Sequence, residues 1–294
     1  ELREMTGAGM MDCKKALNET NGNMDEAVEF LRKNGQAKAE KKASRIAAEG
    51  LCTVVVKDDT TAAVVEVNSE TDFVAKNEEF IGFVEDLAKM VLETSPASIE
   101  ALKESKYMGT EETVQEVLNG KIAKIGENMN LRRSAREEAT GAVVGYVHGA
   151  GKIAVLVNFD SEAAAADLEE LGKDVAMQIA AMNPMYISRD DVDQAYIEHE
   201  REILTAQAIN EGKPEEIAKK MVEGRLNKQL KEVCLLEQVF VKDSDFTVKQ
   251  IIENKAKALG KEIKIAGVQR FEVGEGIEKK EENFAEEVAK QLGN

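Results

Sequence analysis

The hydrophobic and polar positions of this chain follow two different periods, which predict both strands and helices. Valines alternate with polar residues from Leu51 to Lys57 and from Thr61 to Asn68, and the two runs are joined by Asp58-Asp59. A period of two around such a turn predicts an antiparallel hairpin. From Phe80 to Val91 the apolar residues recur every three to four positions. We therefore expect a helix that buries one face on the hairpin and ends at Ser95-Pro96.

The same order of two strands and one helix recurs further along the chain. Strands are predicted over Gly141 to His148 and Lys152 to Phe159, and a helix then runs to Asn183-Pro184. The chain therefore contains an internal duplication.

The two copies differ in the loop between the second strand and the helix. Val65-Glu66-Val67-Asn68 matches Val155-Leu156-Val157-Asn158 at an offset of ninety, whereas Asp86 matches Asp174 at an offset of eighty-eight. The first copy therefore has two extra residues in this loop, which contains Thr71-Asp72-Phe73. A loop that departs from a shared scaffold is a candidate for function.

The first 34 residues predict three short helices. Gly7 and Gly9 separate the first helix from the second, and Asn21-Gly22 ends the second. Asn23 is placed to cap the third, with Glu26 in the position of a capping box. The predicted bounds are Glu1 to Thr6, Met11 to Thr20 and Met24 to Lys33.

A three-helix unit of this size has little core, so we expect some of its apolar side chains to dock on another surface. The candidates are Leu2, Met10, Met11 and Cys13. Packing within the unit is the alternative for Met10, Met11 and Cys13.

The second half of the chain predicts a helical hairpin between the elements of the second copy. Ser188 is expected to cap a helix from Arg189 to about Asn210, and Gly212-Lys213-Pro214 turns into another that ends near Val233. The apolar stripes expected to face each other contain Val192, Tyr196, His199, Ile203 and Ala206 on one side and Ile217, Met221, Leu226 and Leu230 on the other.

After the hairpin the chain is expected to return to the second copy. A short strand is predicted from Val239 to Val241, a helix from Val248 to Leu259, and strands over Ile263 to Val268 and Arg270 to Val273. A last amphipathic helix is predicted from Asn283 to Leu292.

Composition excludes several classes of protein. A formal net charge of −17 argues against a nucleic-acid track or an anionic membrane surface. The basic run from Lys38 to Arg45 is interpreted as a solvated linker helix. Cys13, Cys52 and Cys234 form neither a disulfide framework nor a zinc pattern, which fits the cytoplasm. No bilayer-spanning run is present, and because the chain begins at Glu1 within a helical pattern, we expect residues to precede it.

The chain lacks the usual signs of an enzyme. His148 and His199 are its two histidines, and neither lies in a hydrolase or zinc-protease motif. His199 lies on the predicted apolar stripe and is interpreted as a packing residue. Gly274-Glu275-Gly276 lacks the lysine of a phosphate loop and predicts a turn. We therefore expect no catalytic chemistry, no cofactor and no metal.

Two segments closely resemble bacterial elongation factor Ts, the nucleotide exchange factor of the GTPase elongation factor Tu. They are Thr71-Asp72-Phe73-Val74-Ala75-Lys76-Asn77 and the stretch from Met5 to Leu17. The resemblance runs nearly end to end and implies that Thr71, Asp72, Phe73 and Val74 form a wedge that disturbs the partner's magnesium site. It also implies that His148 contacts the partner. The residues alone favour a different interpretation, in which Phe73 is a core side chain that staples the following helix, and the resemblance reverses this preference.

The resemblance implies an α+β protein, with a ubiquitin-associated-like domain, a duplicated sheet-and-helix core, an inserted helical hairpin that could form a homodimer, and a C-terminal helix. The expected ranges are 1–34 for the first domain, 35–50 for a linker helix, 51–140 for one core subdomain, 141–187 with 234–275 for the other, 188–233 for the hairpin and 276–294 for a C-terminal module.

The expected function is nucleotide exchange on elongation factor Tu, with no bond made or broken. Two alternatives stay open: an adaptor that binds a protein without releasing nucleotide, and a small-molecule enzyme with a cleft between the repeats. Nucleotide release separates the exchange factor from the adaptor, and turnover without a GTPase would identify the enzyme.

Overall fold

A computed structural model describes residues 1–278 of the chain as an α+β protein. The described residues contain eleven α-helices and two three-stranded sheets, and within each sheet the strands lie side by side in chain order. The α+β class predicted from the sequence is therefore confirmed. The predicted helix from Asn283 to Leu292 lies outside the described residues, as does most of the predicted C-terminal module.

The helices and strands of the first half are α1 (Leu2–Thr6), α2 (Met10–Glu19), α3 (Met24–Lys42), β1 (Glu49–Lys57), β2 (Thr61–Ser69), α4 (Asp72–Ala75), α5 (Glu78–Thr94), α6 (Ile99–Glu104), α7 (Val114–Ile125) and β3 (Met129–Glu138). The second half contains β4 (Ala142–His148), β5 (Ile153–Ser161), α8 (Ala165–Met182), α9 (Gln194–Asn210), α10 (Glu215–Val233), α11 (Val248–Leu259) and β6 (Ile263–Glu272).

The chain divides into two compact units. Among the described residues, the first unit comprises Glu1–Thr53, Val65–Ser134 and residues 271–278, and the second comprises Val54–Val64 and Ala135–Arg270. The domain boundaries expected from the sequence remain predictions.

In the first unit, the three predicted N-terminal helices are present, and the left-handed backbone of Asn21 and Gly22 separates the second from the third. The Asn23 side chain accepts hydrogen bonds from the backbone N–H groups of Asp25 and Glu26, so the predicted cap is confirmed. However, α3 does not end at Lys33 but continues to Lys42.

The extension of α3 has a packing cause. Gly35 and Ala39 are buried, and Gly35 approaches the backbone of Asn119 and Gly120 in α7. Burial of this face against α7 outweighs the cost of about 1 kcal/mol for glycine inside a helix. The predicted helix end and the predicted separate linker helix are therefore replaced by one continuous helix.

The β1–β2 hairpin and α5 match the predicted pattern. Asp58 and Asp59 both have positive φ, as a tight hairpin turn requires. Phe80, Phe83 and Leu87 are buried along α5. Ser95 ends α5 in the left-handed conformation, directly before Pro96.

Residues 142–182, in the second unit, repeat this plan. Strands β4 and β5 pair antiparallel, with Gly145 opposite Leu156, and α8 packs on both strands. Gly172 allows α8 to approach β4 closely, because a Cβ there would lie 2.4 Å from Cγ2 of Val144. Asn183 ends α8 in the left-handed conformation before Pro184, as Ser95 ends α5. The predicted duplication of strand, strand and helix is thus present in the structure.

The helical hairpin is present, but its seam differs from the prediction. Ser188 caps a 3-10 turn, Arg189–Asp191, and α9 begins later, after the cap residue Asp193. The buried seam consists of Leu204, Ala208, Ala218, Val222, Leu226 and Leu230. The small side chains of Ala208 and Ala218 allow the two helices to approach at these positions.

Several residues that were predicted in the seam are therefore on the outside. His199, Ile203 and Ile217 are exposed, so the interpretation of His199 as a packing residue is wrong. In the return segment, Val239 forms an isolated bridge to Thr247 in place of a strand, and the two predicted final strands form the single strand β6. Among the helices of residues 1–278, none combines the length and the apolar character needed to cross a membrane.

Candidate functional site

Phe73 is the most exposed large hydrophobic side chain among the described residues, with 79% of its surface accessible. It lies on α4, a single helical turn between β2 and α5. The residues that connect the equivalent strand and helix in the second unit, 162–164, form no helix. The structure therefore rejects the core alternative for Phe73 and places its ring in solvent.

The turn that carries Phe73 is anchored on its C-terminal side. Val74 is buried, with 7% of its surface accessible, so the two neighbouring side chains point in different directions. The side chain of Asn77 then accepts hydrogen bonds from the backbone N–H groups of Glu79 (2.9 Å) and Phe80 (3.2 Å), which fixes the start of α5. Phe73 is thus presented by a short turn whose end is set by burial and a helix cap.

The N-terminal side of the turn is held by Glu127, a residue that sequence reasoning missed. The backbone N–H of Thr71 donates to Oε2 of Glu127 at 3.0 Å, and the Thr71 hydroxyl donates to Oε1 at 2.6 Å. The Ser69 hydroxyl donates to the carbonyl of Thr71 at 2.9 Å. No local pattern links Thr71 to Glu127, because the two lie 56 positions apart.

A second set of contacts ties the same two segments together. The backbone N–H of Asn128 donates to the carboxylate of Glu70, and Nδ2 of Asn128 donates to the carbonyl of Arg45 at 2.7 Å. The Arg45 guanidinium lies 3.5 Å from the Glu70 carboxylate. The residues on either side of the Thr71–Glu127 contact are therefore fixed as well.

Asp72 faces solvent beside Phe73. Its carboxylate pairs with Nζ of Lys76 at 2.7 Å, one turn along, and Lys76 Nζ lies 6.0 Å from the centre of the Phe73 ring. Pairs of this exposure contribute little to folding. Asp72 and Lys76 therefore supply charge next to an exposed ring at little cost to stability.

The structure divides the four predicted N-terminal docking residues into two pairs. Leu2 and Cys13 are buried in the three-helix core, together with Ala16 and Ala27. Their side chains therefore offer no surface to a partner in this conformation. Met10 and Met11, at the start of α2, are exposed, and their docking role stays a prediction.

His148 belongs to the second unit, whereas the Phe73 turn and the N-terminal helices belong to the first. It ends β4 and is exposed, and its Nδ1 lies 2.9 Å from the hydroxyl of Tyr146. The contact orients the imidazole at the end of the strand, where it is accessible to a partner.

A buried charge, Glu66, was also missed. Its carboxylate is inaccessible to solvent and accepts hydrogen bonds from Asn68 Nδ2 (2.9 Å), Arg132 (3.2 Å), Arg133 and the backbone N–H of Gly274 (2.9 Å). Burial alone would raise the pKa of Glu66, but the hydrogen bonds from Gly274, Asn68 and Arg133 hold its pKa below the ordinary value.

Gly274 begins the predicted turn, which the structure confirms. It has a φ of 73°, and a Cβ there would lie 2.1 Å from the carbonyl oxygen of Ala48. Only glycine therefore allows the backbone to reach Glu66 at this point. The signal that could have identified Glu66 was its match to Leu156 in the duplication, since Leu156 is fully buried.

The described residues contain no group of three or more His, Cys, Asp or Glu side chains arranged to hold a metal ion. The exposed ring and the anchored backbone make the Phe73 turn the feature that we take as the candidate functional site.

Comparison with known proteins points to one family. A family profile described as Elongation factor TS matches residues 70–275. Elongation factor Ts of Clostridioides difficile (strain 630) is 62% identical over 294 residues, which cover 99% of this chain and 96% of the relative. Elongation factor Ts of Clostridium novyi (strain NT) is 55% identical over 295 residues, with coverages of 99% and 96%.

Proposed function

This chain belongs to the elongation factor Ts family of translation elongation factors, and from this premise we propose that it binds GDP-loaded elongation factor Tu and promotes exchange of GDP for GTP. The observation that carries the proposal is the exposed ring of Phe73 on an anchored turn. A solvent-exposed phenylalanine contributes little to its own fold, and a well-held turn provides a rigid platform for inserting it into a partner. In this role the chain makes and breaks no bond, and its place of action is the cytoplasm.

Exchange requires that the chain bind two states of the partner with different affinity. In the proposed mechanism, Phe73 enters the GTPase and stabilises a conformation that holds magnesium and GDP poorly, with Thr71, Asp72 and Val74 shaping the wedge. The population shifts toward that conformation only by as much as the difference in affinity. Met10, Met11 and His148 would contact other parts of the partner.

The charged groups around the N-terminal cavity support a binding protein over a small-molecule enzyme. A cavity of about 210 Å³ lies between the N-terminal helices, α5 and α7. Lys38 pairs there with Asp12 at 2.9 Å, and Lys124 pairs with Glu79 at 2.8 Å. Ion pairs of this kind stabilise the packing of the helices. Because the paired charges neutralise each other, they are poorly suited to binding a charged substrate.

The proposed function is tested by stopped-flow measurement of GDP release. Elongation factor Tu loaded with a fluorescent GDP analogue is mixed with increasing amounts of the chain and excess unlabelled nucleotide. Acceleration that saturates with the chain's concentration is expected. Binding without acceleration would identify an adaptor and overturn the proposal.

Replacing Met10 and Met11 together with serine is expected to weaken association with elongation factor Tu by about tenfold, since two exposed apolar side chains leave the interface. The rate of GDP release at saturation should change little, because the Phe73 turn is untouched. Binding is measured by titration with the nucleotide-free GTPase. A matched control is Met108→Asn, which removes another exposed methionine at a left-handed position that asparagine tolerates.

The helical hairpin is expected to be dispensable for exchange. Tyr186 and Cys234 form a bridge, and the N–H of Leu235 donates to the carbonyl of Tyr186 at 2.9 Å. The two ends of the hairpin are therefore adjacent, and a short Gly-Ser link can replace 188–233. With the shortened protein, GDP release from elongation factor Tu should proceed at near the parental rate. The self-association of the chain should change, and analytical ultracentrifugation measures it. A folded deletion variant that does not accelerate GDP release from elongation factor Tu would contradict this prediction.

A further inference from the structure

We infer that Glu127 is a positioning residue for the Phe73 wedge: it holds the turn in the orientation that enters the GTPase. The inference rests on the proposed function and adds a residue from outside the Thr71-Asp72-Phe73-Val74 segment. Glu127 lies between α7 and β3, far from the wedge in sequence. It touches the turn through Thr71, two residues before the ring.

Two hydrogen bonds join Glu127 to Thr71. Both carboxylate oxygens of Glu127 accept from Thr71, one from the backbone N–H at 3.0 Å and one from the hydroxyl at 2.6 Å. Two bonds to one residue fix its rotation as well as its position, and hydrogen bonds to a charged acceptor are stronger than neutral ones. Both residues are half-buried, so water competes only in part.

Thr71 shows that the contact with Glu127 takes precedence over local structure. It occupies the N-cap position of α4, where a threonine side chain ordinarily accepts a hydrogen bond from the helix's own first turn. Its side chain makes no such cap bond. By contrast, Thr113 and Asn77, at the N-caps of α7 and α5, do cap their helices. The Thr71 hydroxyl instead binds Glu127, so α4 is oriented by a distant part of the unit rather than by its own cap.

The segment that carries Glu127 is itself fixed by a helix end and by hydrogen bonds. Gly126 ends α7 in the left-handed conformation with a φ of 90°, which turns the chain directly into Glu127. Asn128 then binds Glu70 and the carbonyl of Arg45. The orientation of the wedge is therefore set before the partner arrives. Without Glu127 the turn would have to be ordered during binding, and ordering backbone costs free energy.

The test measures GDP release from elongation factor Tu at saturating concentrations of variants of the full chain. Glu127→Ala should lower the saturated release rate by about tenfold, equivalent to about 1.4 kcal/mol. Glu127→Gln should recover most of that loss, since its amide can accept from the Thr71 N–H and donate to the Thr71 hydroxyl. The control variant Glu104→Ala removes an exposed glutamate of α6. It should accelerate GDP release from elongation factor Tu as much as the parent does.

Epistasis with Phe73 distinguishes positioning from a general loss of structure. In a Phe73→Ala background, adding Glu127→Ala should cause no further slowing, because the ring that Glu127 positions is gone. Equal slowing in both backgrounds, or a parental rate for Glu127→Ala alone, would overturn the inference. Should Glu127→Ala fail to fold, Thr71→Val removes the hydroxyl bond alone, and the inference requires slower release with a parental melting temperature.

The same experiment separates this inference from the function on which it rests. If Phe73→Ala slows release and Glu127→Ala does not, the wedge stands and the positioning role fails. If GDP release with the Phe73→Ala variant proceeds at the parental rate, the wedge mechanism fails, and the positioning role fails with it.

Discussion

Replacing Phe73 with alanine is expected to slow GDP release from elongation factor Tu by about thirtyfold, the effect of losing about 2 kcal/mol at an interface hot spot. The melting temperature of the chain should hardly change, because 79% of the side chain is already in solvent. The two measurements are a stopped-flow release rate at saturation and a thermal melt. A parental release rate would contradict the wedge mechanism.

Phe80→Ala provides the matched comparison within the same unit. Phe80 begins the buried face of α5 and has no accessible surface. Its truncation is expected to cost about 3 to 5 kcal/mol of stability and to lower the melting temperature clearly. The pair of variants therefore separates loss of fold from loss of exchange: one phenylalanine should affect mainly the melt and the other mainly the release rate.

Binding measurements provide a second check on Phe73→Ala. The factor by which the chain weakens GDP binding must equal the factor by which GDP weakens binding of the chain. Both factors should fall together in Phe73→Ala. Asp72→Ala should act in the same direction but less strongly, since it removes an exposed carboxylate paired with Lys76 rather than an inserted ring.

The features that the sequence predicted well are those encoded by neighbouring residues. Asp58-Asp59 gives a hairpin turn, and Asn23 gives a helix cap, because the chemistry of each acts over two or three positions. The duplication was visible because two strands and a helix recur in the same order and Val65-Glu66-Val67-Asn68 matches Val155-Leu156-Val157-Asn158. The exposure of Phe73 was not predicted by local pattern, because an isolated phenylalanine before a helix favours a core side chain that staples the helix. Only the family resemblance indicated a wedge.

The features that the sequence missed depend on contacts between distant segments. Glu127 and Thr71 meet only after α7 and β2 are in place. The end of α3 was misjudged because its packing on α7, rather than helix propensity, keeps the helix intact past Gly35. In the hairpin, the 3-10 turn at Arg189–Asp191 delays α9, and the seam runs through Leu204 rather than Ile203.

Glu66→Gln is expected to destabilise the first unit by about 3 kcal/mol, within the range for breaking a buried ion pair. Every group that contacts the carboxylate is a donor: Asn68 Nδ2, the guanidiniums of Arg132 and Arg133, and the N–H of Gly274. Glutamine keeps the shape of the side chain but turns an NH₂ group toward one of these donors and removes the charge that the arginines neutralise. The control Glu29→Gln changes an exposed i,i+4 pair with Lys33 and should leave the stability nearly unchanged.

The pH dependence identifies the charge of Glu66 as the cause. The donors hold the pKa of folded Glu66 below the ordinary value of 4.5, which is the value expected in the unfolded chain. Its contribution to stability is therefore fully present above pH 4.5 and is lost as the pH falls through the folded pKa. Glutamine does not titrate, so the difference in stability between parent and variant should narrow below pH 4.5. Amide hydrogen exchange of Val65 to Ser69, the part of β2 in the first unit, measures this difference in stability. A difference between parent and variant that does not change with pH would mean that the shape of the side chain, rather than its charge, holds Glu66 in place.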